Sequence, residues 1–174
     1  MIIHQTWSAY KETFSEETDK AFPKGRGYHL LTRTLRALDT SSIDILIDGA
    51  SRMPGPTSAI ALHDFHGVPT NVLSGATAFA LRDSHCMVEI IGSWDRLDHD
   101  QASREIAWAE KLDAALSSIS LPGGYVNLLK PSDIDRAIQF YGAASKRLLD
   151  IKRRVDPADL FRSGVGRLSV GAKP

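Results

Sequence analysis

The chain has 174 residues, 43% of them hydrophobic and 24% charged, which is typical of a folded globular protein and excludes a disordered chain. The 21 basic and 21 acidic residues give a formal net charge of zero, which argues against nucleic acid as a partner. The single cysteine, Cys86, excludes an internal disulfide and favours a reducing compartment. No apolar run is long enough to cross a membrane, so one cytoplasmic domain over residues 1–174 is predicted.

The first half of the chain is predicted to hold three strands and one helix. Residues 28–35 are rich in aromatic, β-branched and leucine residues and predict a strand. Asp39 or Thr40 then offers an N-cap for a helix. Residues 57–65 alternate in polarity as a strand does, and residues 76–81 form a further short strand candidate.

The strongest patterns lie in the middle of the chain. Residues 86–94 (CMVEIIGSW) are almost continuously apolar, which predicts a central strand. Residues 100–119 place apolar side chains three or four positions apart and predict an amphipathic helix. Residues 125–129 predict a further short strand.

The last part of the chain predicts two helices. Ser132 or Asp133 caps a helix through Phe140, Gly142 ends it, and a final helix runs to about Arg154. Strands and helices thus mix without regular alternation. This order favours an α+β domain, in which a mainly antiparallel sheet of four or more strands has helices packed on one face.

A tyrosine and an asparagine are the side chains best suited to bind a ligand. In a strand, Tyr125 and Asn127 share one face, and Val126 points the other way and can pack on the helices. A phenol and an amide side by side suit hydrogen bonding to a ligand. From the residues alone, an ordinary edge-strand face is the preferred explanation of the pattern.

The histidines do not form a convincing metal site. His63 and His66 lack a matched third ligand, so no metal is predicted. His85 and Cys86 are consecutive strand residues that point to opposite faces, and Cys86 is expected to be buried and inert.

Several short motifs occur in a fixed order. Residues 124–127 read G-Y-V-N, 141–142 read Y-G, 147–148 read R-L, and 156–162 read D-P-A-D-L-F-R. This end of the chain resembles the C-terminal end of FAD-linked oxidoreductases related to berberine bridge enzyme, which reads Y-x-N, Y-Y-G, R-L and D-P-x-N-x-F-R. Earlier segments, such as A-T-A-F-A-L-R-D from residue 76, extend the resemblance over about residues 14–162.

The resemblance implies a substrate domain whose sheet is backed by helices and turns its open face toward the flavin. It implies a catalytic role for Tyr125, which would orient a small-molecule substrate or assist removal of a proton from an alcohol. Asn127 would contact the cofactor, FAD. The resemblance places most of the FAD site on a separate subunit or an N-terminal domain that is expected to be missing here. A face without this partner could also form a homodimer.

Some residues depart from the family pattern. Many members carry a second tyrosine directly after Y-x-N as the catalytic base, and this chain has Leu128 there. The asparagine expected in D-P-x-N is Asp159. A non-catalytic binding or interaction domain that kept the fold and lost the chemistry is therefore the alternative.

Overall fold

Residues 7–130 and 133–161 are described by the computed structural model. Its helices are α1 (Trp7–Ala21), α2 (Thr40–Ser51), α3 (His99–Ser117), α4 (Ile134–Tyr141) and α5 (Ala144–Val155). Its strands are β1 (Arg26–Leu35), β2 (Ala59–Phe65) and β3 (His85–Asp95). Short 3-10 helices occupy Val68–Asn71 and Val126–Leu128.

The three described strands form one antiparallel sheet in the order β1-β3-β2. The central position of β3 confirms the prediction made from its apolar run. Ile90 faces Leu31 on one side and Ile60 on the other, and it is fully buried. Together with the helices, this sheet confirms the α+β fold class.

Helices α2 and α3 cover one face of the sheet. Trp108 of α3 donates its indole N–H to the carbonyl oxygen of Gly49 in α2 at 2.8 Å, and Leu112 packs against the same glycine, where a larger residue would clash. The core between these helices and the sheet is aliphatic apart from one ring, and it consists of Leu31, Leu35, Leu46, Val88, Ile90, Trp108, Ala109, Leu112 and Leu116. Burial of these side chains is the main source of stability for the fold.

Acidic residues cap the N-termini of both helices that cover the sheet. The Asp39 carboxylate accepts a hydrogen bond from the Ser42 amide at 2.8 Å, which confirms the predicted start of α2. Asp98 accepts from the Gln101 amide at 2.7 Å and starts α3 within two residues of its predicted position. Each cap satisfies an amide that has no partner within its helix.

The prediction of four or more strands was wrong for the described residues, because residues 76–81 do not form a strand. Arg82 donates from Nε to the Phe79 carbonyl at 3.2 Å and from Nη2 to Thr77 Oγ1 at 2.7 Å. These local bonds hold the segment in a turn, and local side-chain bonds of this kind compete with pairing in a sheet.

The predicted strand at 125–129 was also wrong. The chain does approach the free edge of β1, where Leu121 donates its amide to the Thr34 carbonyl at 2.7 Å. Gly123 then turns it away with a φ of 94°, a conformation that favours glycine. The Tyr125 amide meets the Thr32 side chain instead of the β1 backbone, and a 3-10 turn follows.

Two predicted positions, Ser132 and Arg162, lie outside the described residues. Among the described helices, none combines the length and the apolar character needed to cross a lipid bilayer.

Candidate functional site

The face of the sheet opposite α2 and α3 carries polar side chains. Because strand residues alternate between faces, the neighbours of the core residues point to this open face. Thr32 on β1 lies opposite Glu89 on β3, and His63 on β2 lies opposite Met87. The open face therefore has polar groups at its centre, unlike the aliphatic face under the helices.

Tyr125 and Asn127 come together as the sequence predicted, but through a different backbone. Asn127 Nδ2 donates a hydrogen bond to the Tyr125 hydroxyl oxygen at 2.8 Å. The 3-10 turn, and not strand alternation, makes this contact. Val126 is only half-buried, against the prediction that it would pack on the helices, whereas Leu129 is buried.

Helix α4 holds the turn that precedes Tyr125. Arg136 donates from Nη2 to the Thr32 carbonyl at 2.5 Å and to the Gly123 carbonyl at 3.3 Å. Gln139 accepts the Gly123 amide at 3.1 Å. Burial lowers the pKa of the Arg136 guanidinium, and the nearby Arg33 cation lowers it further. Arg136 therefore ties β1, the glycine turn and α4 together around Tyr125.

A cleft of about 260 Å³ lies on the open face between the sheet, the 76–82 segment and α4. Its lining includes the polar residues Thr34, His63, Asp64 and Tyr125. The rest of the lining is largely aromatic and apolar: Phe65, Phe79, Leu81, His85, Met87 and Phe140. A concave, mainly apolar pocket with a few polar groups has the usual composition of a small-molecule site.

An imidazole and a carboxylate form a pair at the edge of this cleft. His63 Nε2 lies 3.3 Å from Glu89 Oε1, with the Glu89 side chain only 17% exposed. Neither residue was predicted as a site residue. The signal available was the single charged residue in the otherwise apolar run CMVEIIGSW. A carboxylate in a central strand must face away from the helices or find a partner.

The predicted inert cysteine is confirmed as buried. Burial raises the pKa of the Cys86 thiol, and the nearby carboxylate of Asp64 raises it further. His85 is buried on the other face of β3, where its Nδ1 lies 2.7 Å from the Asp83 carbonyl oxygen. In the described part of the chain, no three His, Cys, Asp or Glu side chains are grouped to hold a metal ion.

A second polar cluster ends α5. The buried Asp156 carboxylate accepts hydrogen bonds from the amides of Leu160 at 2.8 Å and Phe161 at 3.0 Å. It also pairs with the ammonium group of Lys152, which lies 3.0 Å from Asp159 as well. The cluster fixes the backbone after α5 and leaves the Leu160 and Phe161 side chains exposed.

Three comparisons with known proteins agree on one group of enzymes. The family model described as "Berberine and berberine like" matches residues 124–166. The FAD-linked oxidoreductase aurO of Gibberella zeae is 29% identical over 134 residues, which cover 74% of this chain and 25% of that relative.

Solved structures share the fold. Berberine bridge enzyme from Eschscholzia californica superposes with a TM-score of 0.70 at 19% identity, over 86% of this chain and 34% of that one. A glycopeptide hexose oxidase complexed with teicoplanin gives a TM-score of 0.68 at 21% identity, over 82% of this chain and 32% of that one. The chain thus spans between a quarter and about a third of the length of these proteins. In its matched segment, its sequence similarity and its fold, the chain resembles the berberine-bridge-enzyme-like FAD-linked oxidoreductases.

Proposed function

We propose that the chain is the substrate domain of an FAD-linked oxidoreductase that oxidises an alcohol or a similar group. The cleft on the open sheet face carries this proposal, because Tyr125 and His63 line it together and Glu89 supports His63. A hydroxyl at the cleft can orient an alcohol, and an imidazole backed by a carboxylate can accept its proton.

Each residue has a distinct part in this reaction. If FAD is bound, it would supply the acceptor for the hydride that the alcohol carbon loses. Tyr125 hydrogen-bonds the alcohol oxygen and orients the substrate. The alcohol proton passes to His63 Nδ1, and Glu89 Oε1, 3.3 Å from Nε2, stabilises the imidazolium that forms. Loss of one hydride and one proton leaves the carbonyl product.

Asn127 is assigned the contact with the cofactor. Its side chain is exposed beside the cleft, and its Nδ2 is already engaged with Tyr125. The amide oxygen is then oriented as an acceptor for an N–H group, which the flavin ring can supply. The phosphates and the adenine of FAD would be held by another domain or a separate flavin-binding subunit facing the open side of the sheet.

A non-catalytic binding domain is the second candidate. Leu128 favours it, because many related enzymes carry a tyrosine base at this position. His63 and Glu89 favour the enzyme, since they offer another route for the proton. For either function we place the chain in the cytoplasm, and the single buried cysteine supports a reducing compartment.

The proposal is tested on the tagged chain, isolated under native conditions from its own cells with any flavin-bearing partner. Alcohols are added without oxygen, and the bleaching of the visible flavin absorbance is timed. We expect Tyr125→Phe to slow bleaching by about 10²-fold or more, the usual size of a lost acid–base or orienting group. Tyr141→Phe is the matched control, because Tyr141 packs on Phe140 and does not line the cleft. A preparation without flavin, or flavin that no alcohol bleaches, would favour the binding domain.

A further inference from the structure

The cleft has an aromatic wall built from four rings in series. His85 stacks on Phe65 with ring centroids 4.5 Å apart and an interplanar angle of 18°. Phe65 meets Phe79 at 5.4 Å, and Phe79 meets Phe140 edge-on at 5.5 Å. These distances lie within the range at which aromatic rings attract one another. The wall therefore has a defined geometry into which a further ring can fit.

The three phenylalanines of this wall do not form a closed core. Phe65, Phe79 and Phe140 are each half-buried, whereas the aliphatic residues under α3 are fully or almost fully buried. All three keep part of their surface in the cleft. Half-covered aromatic surface facing a cavity is the composition expected of a binding site, because water leaves it readily for an apolar ligand.

The volume of the cleft limits the ligand. A cavity of about 150 Å³ accepts benzene in another protein. The 260 Å³ available here fits one substituted ring, with any larger part of the ligand outside in the open mouth. Few polar side chains face the cleft, chiefly Thr34, His63 and Tyr125, so a sugar ring would lose water from many hydroxyls without replacing all of those bonds.

We infer that the cleft takes a single aromatic ring carrying an alcohol or phenol oxygen, the ring lying against Phe79 and Phe140 and the oxygen facing Tyr125. That this ligand is the substrate rests on the proposed function. That the cleft prefers an aromatic ring rests on the wall alone. Binding can therefore be tested without flavin.

Binding is measured by titrating the chain with benzyl alcohol, cyclohexylmethanol, glucose and riboflavin and recording amide shifts by NMR. We expect benzyl alcohol to move resonances of the cleft residues and to bind about two- to tenfold more tightly than cyclohexylmethanol, the ratio that ring–ring geometry adds beyond burial. Glucose is expected to give no saturable shift.

The variants Phe79→Leu and Phe161→Leu form a matched pair. Phe79 lies in the wall, and Phe161 is 81% exposed outside the cleft lining. Phe79→Leu should abolish the preference for benzyl alcohol over cyclohexylmethanol, and Phe161→Leu should keep it. If Phe79→Leu fails to fold, the relative affinities of the unaltered chain for benzyl alcohol and cyclohexylmethanol still test whether the cleft prefers an aromatic ring.

Three results would overturn this inference: equal or tighter binding of cyclohexylmethanol, shifts that saturate outside the cleft, or displacement of benzyl alcohol by riboflavin from the same residues. The last would make the cleft the site of the cofactor ring. An aromatic preference in a chain whose native complex shows no alcohol-dependent flavin bleaching would refute the proposed oxidoreductase and leave the ligand class standing.

Discussion

The two faces of the sheet differ in the kind of interaction that they carry. The face under α2 and α3 is closed, mainly aliphatic and buried, with Ile90 and Leu116 at 0% exposure and one buried carboxylate, that of Glu105. The open face carries polar groups, half-buried rings and a cleft. The closed face therefore supplies most of the apolar burial that stabilises the fold, and the open face carries the polar groups that are accessible to a ligand.

Strand β3 belongs to both faces at once. Ile90 points to the helices and its neighbour Glu89 points to the open side. Two consecutive residues should then respond oppositely to substitution, one losing stability and the other losing function. Comparing substitutions at Ile90 and Glu89 is therefore the most direct test of whether the two faces of the sheet have different roles.

The largest effect is expected from Ile90→Ala. Removing a fully buried aliphatic side chain costs about 2–5 kcal/mol of the free energy of unfolding, through lost burial and the cavity left behind. Glu89→Gln keeps the volume and should change stability by less than about 1 kcal/mol. Urea unfolding of both variants measures the difference. Similar losses in the two variants would contradict the division between the faces.

Arg136→Met should give the next largest loss, about 1–3 kcal/mol, because it leaves the carbonyls of Thr32 and Gly123 without these donors. Arg153 is the matched control, since it is exposed and pairs with Asp150 at the surface. Arg153→Met should change stability by less than about 0.5 kcal/mol.

Hydrogen exchange distinguishes a local role for Arg136 from a general one. Loss of the Arg136 hydrogen bonds should speed hydrogen exchange at the Tyr125 amide more than at the amides of β3. Uniform acceleration across both segments would show that Arg136 supports the whole fold and does not specifically position Tyr125.

Sequence patterns predicted the closed face far better than the open one. The apolar run of β3, the periodicity of α3 and the Asp39 cap are local signals, and each was confirmed. These features depend on burial against any apolar partner. A pattern of apolar residues is enough to specify them.

The open face depends on contacts between distant residues, which local patterns do not encode. The turn before Tyr125 needs Arg136 from α4 and Thr32 from β1, which lie 104 positions apart. The His63–Glu89 pair depends on strand register. The pairing of Tyr125 with Asn127 was predicted for a wrong reason, because a 3-10 turn replaced the expected strand.

Self-association provides a smaller test of the open face. If this face forms a homodimer in the absence of a partner, Tyr125→Glu should lower the dimer fraction, since a buried unpaired carboxylate would destabilise the interface. Stability should change by less than about 1 kcal/mol, because Tyr125 is only half-buried. Analytical ultracentrifugation is the measurement, with Leu97→Glu as the control, as Leu97 is 90% exposed in the turn before α3. Unfolding of Tyr125→Glu would instead make Tyr125 a core residue.

The smallest effect on stability is expected at the end of α5. It depends on the charge of Asp156 and appears only at acidic pH. The hydrogen bond from the Lys152 ammonium lowers the pKa of Asp156, and the amides of Leu160 and Phe161 lower it further. Because this pKa is lower in the folded chain than in the unfolded one, the stability it contributes is present above the ordinary aspartate value of about 3.9 and is lost as pH falls through the folded value. Asp156→Asn should therefore flatten the decline in stability between about pH 5 and pH 2, measured by thermal unfolding.

Asp150→Asn is the control for this cluster, because Asp150 makes an exposed pair with Arg153 and accepts no amide. Its acid profile should follow that of the unaltered chain, whereas Ile90→Ala should lower the whole profile without changing its slope, since no titrating group is removed. A flattening in Asp150→Asn equal to that in Asp156→Asn would mean that general charge repulsion governs the acid response. A flattening in Asp156→Asn alone would identify the turn after α5 as a third region, held by one carboxylate and independent of both faces of the sheet.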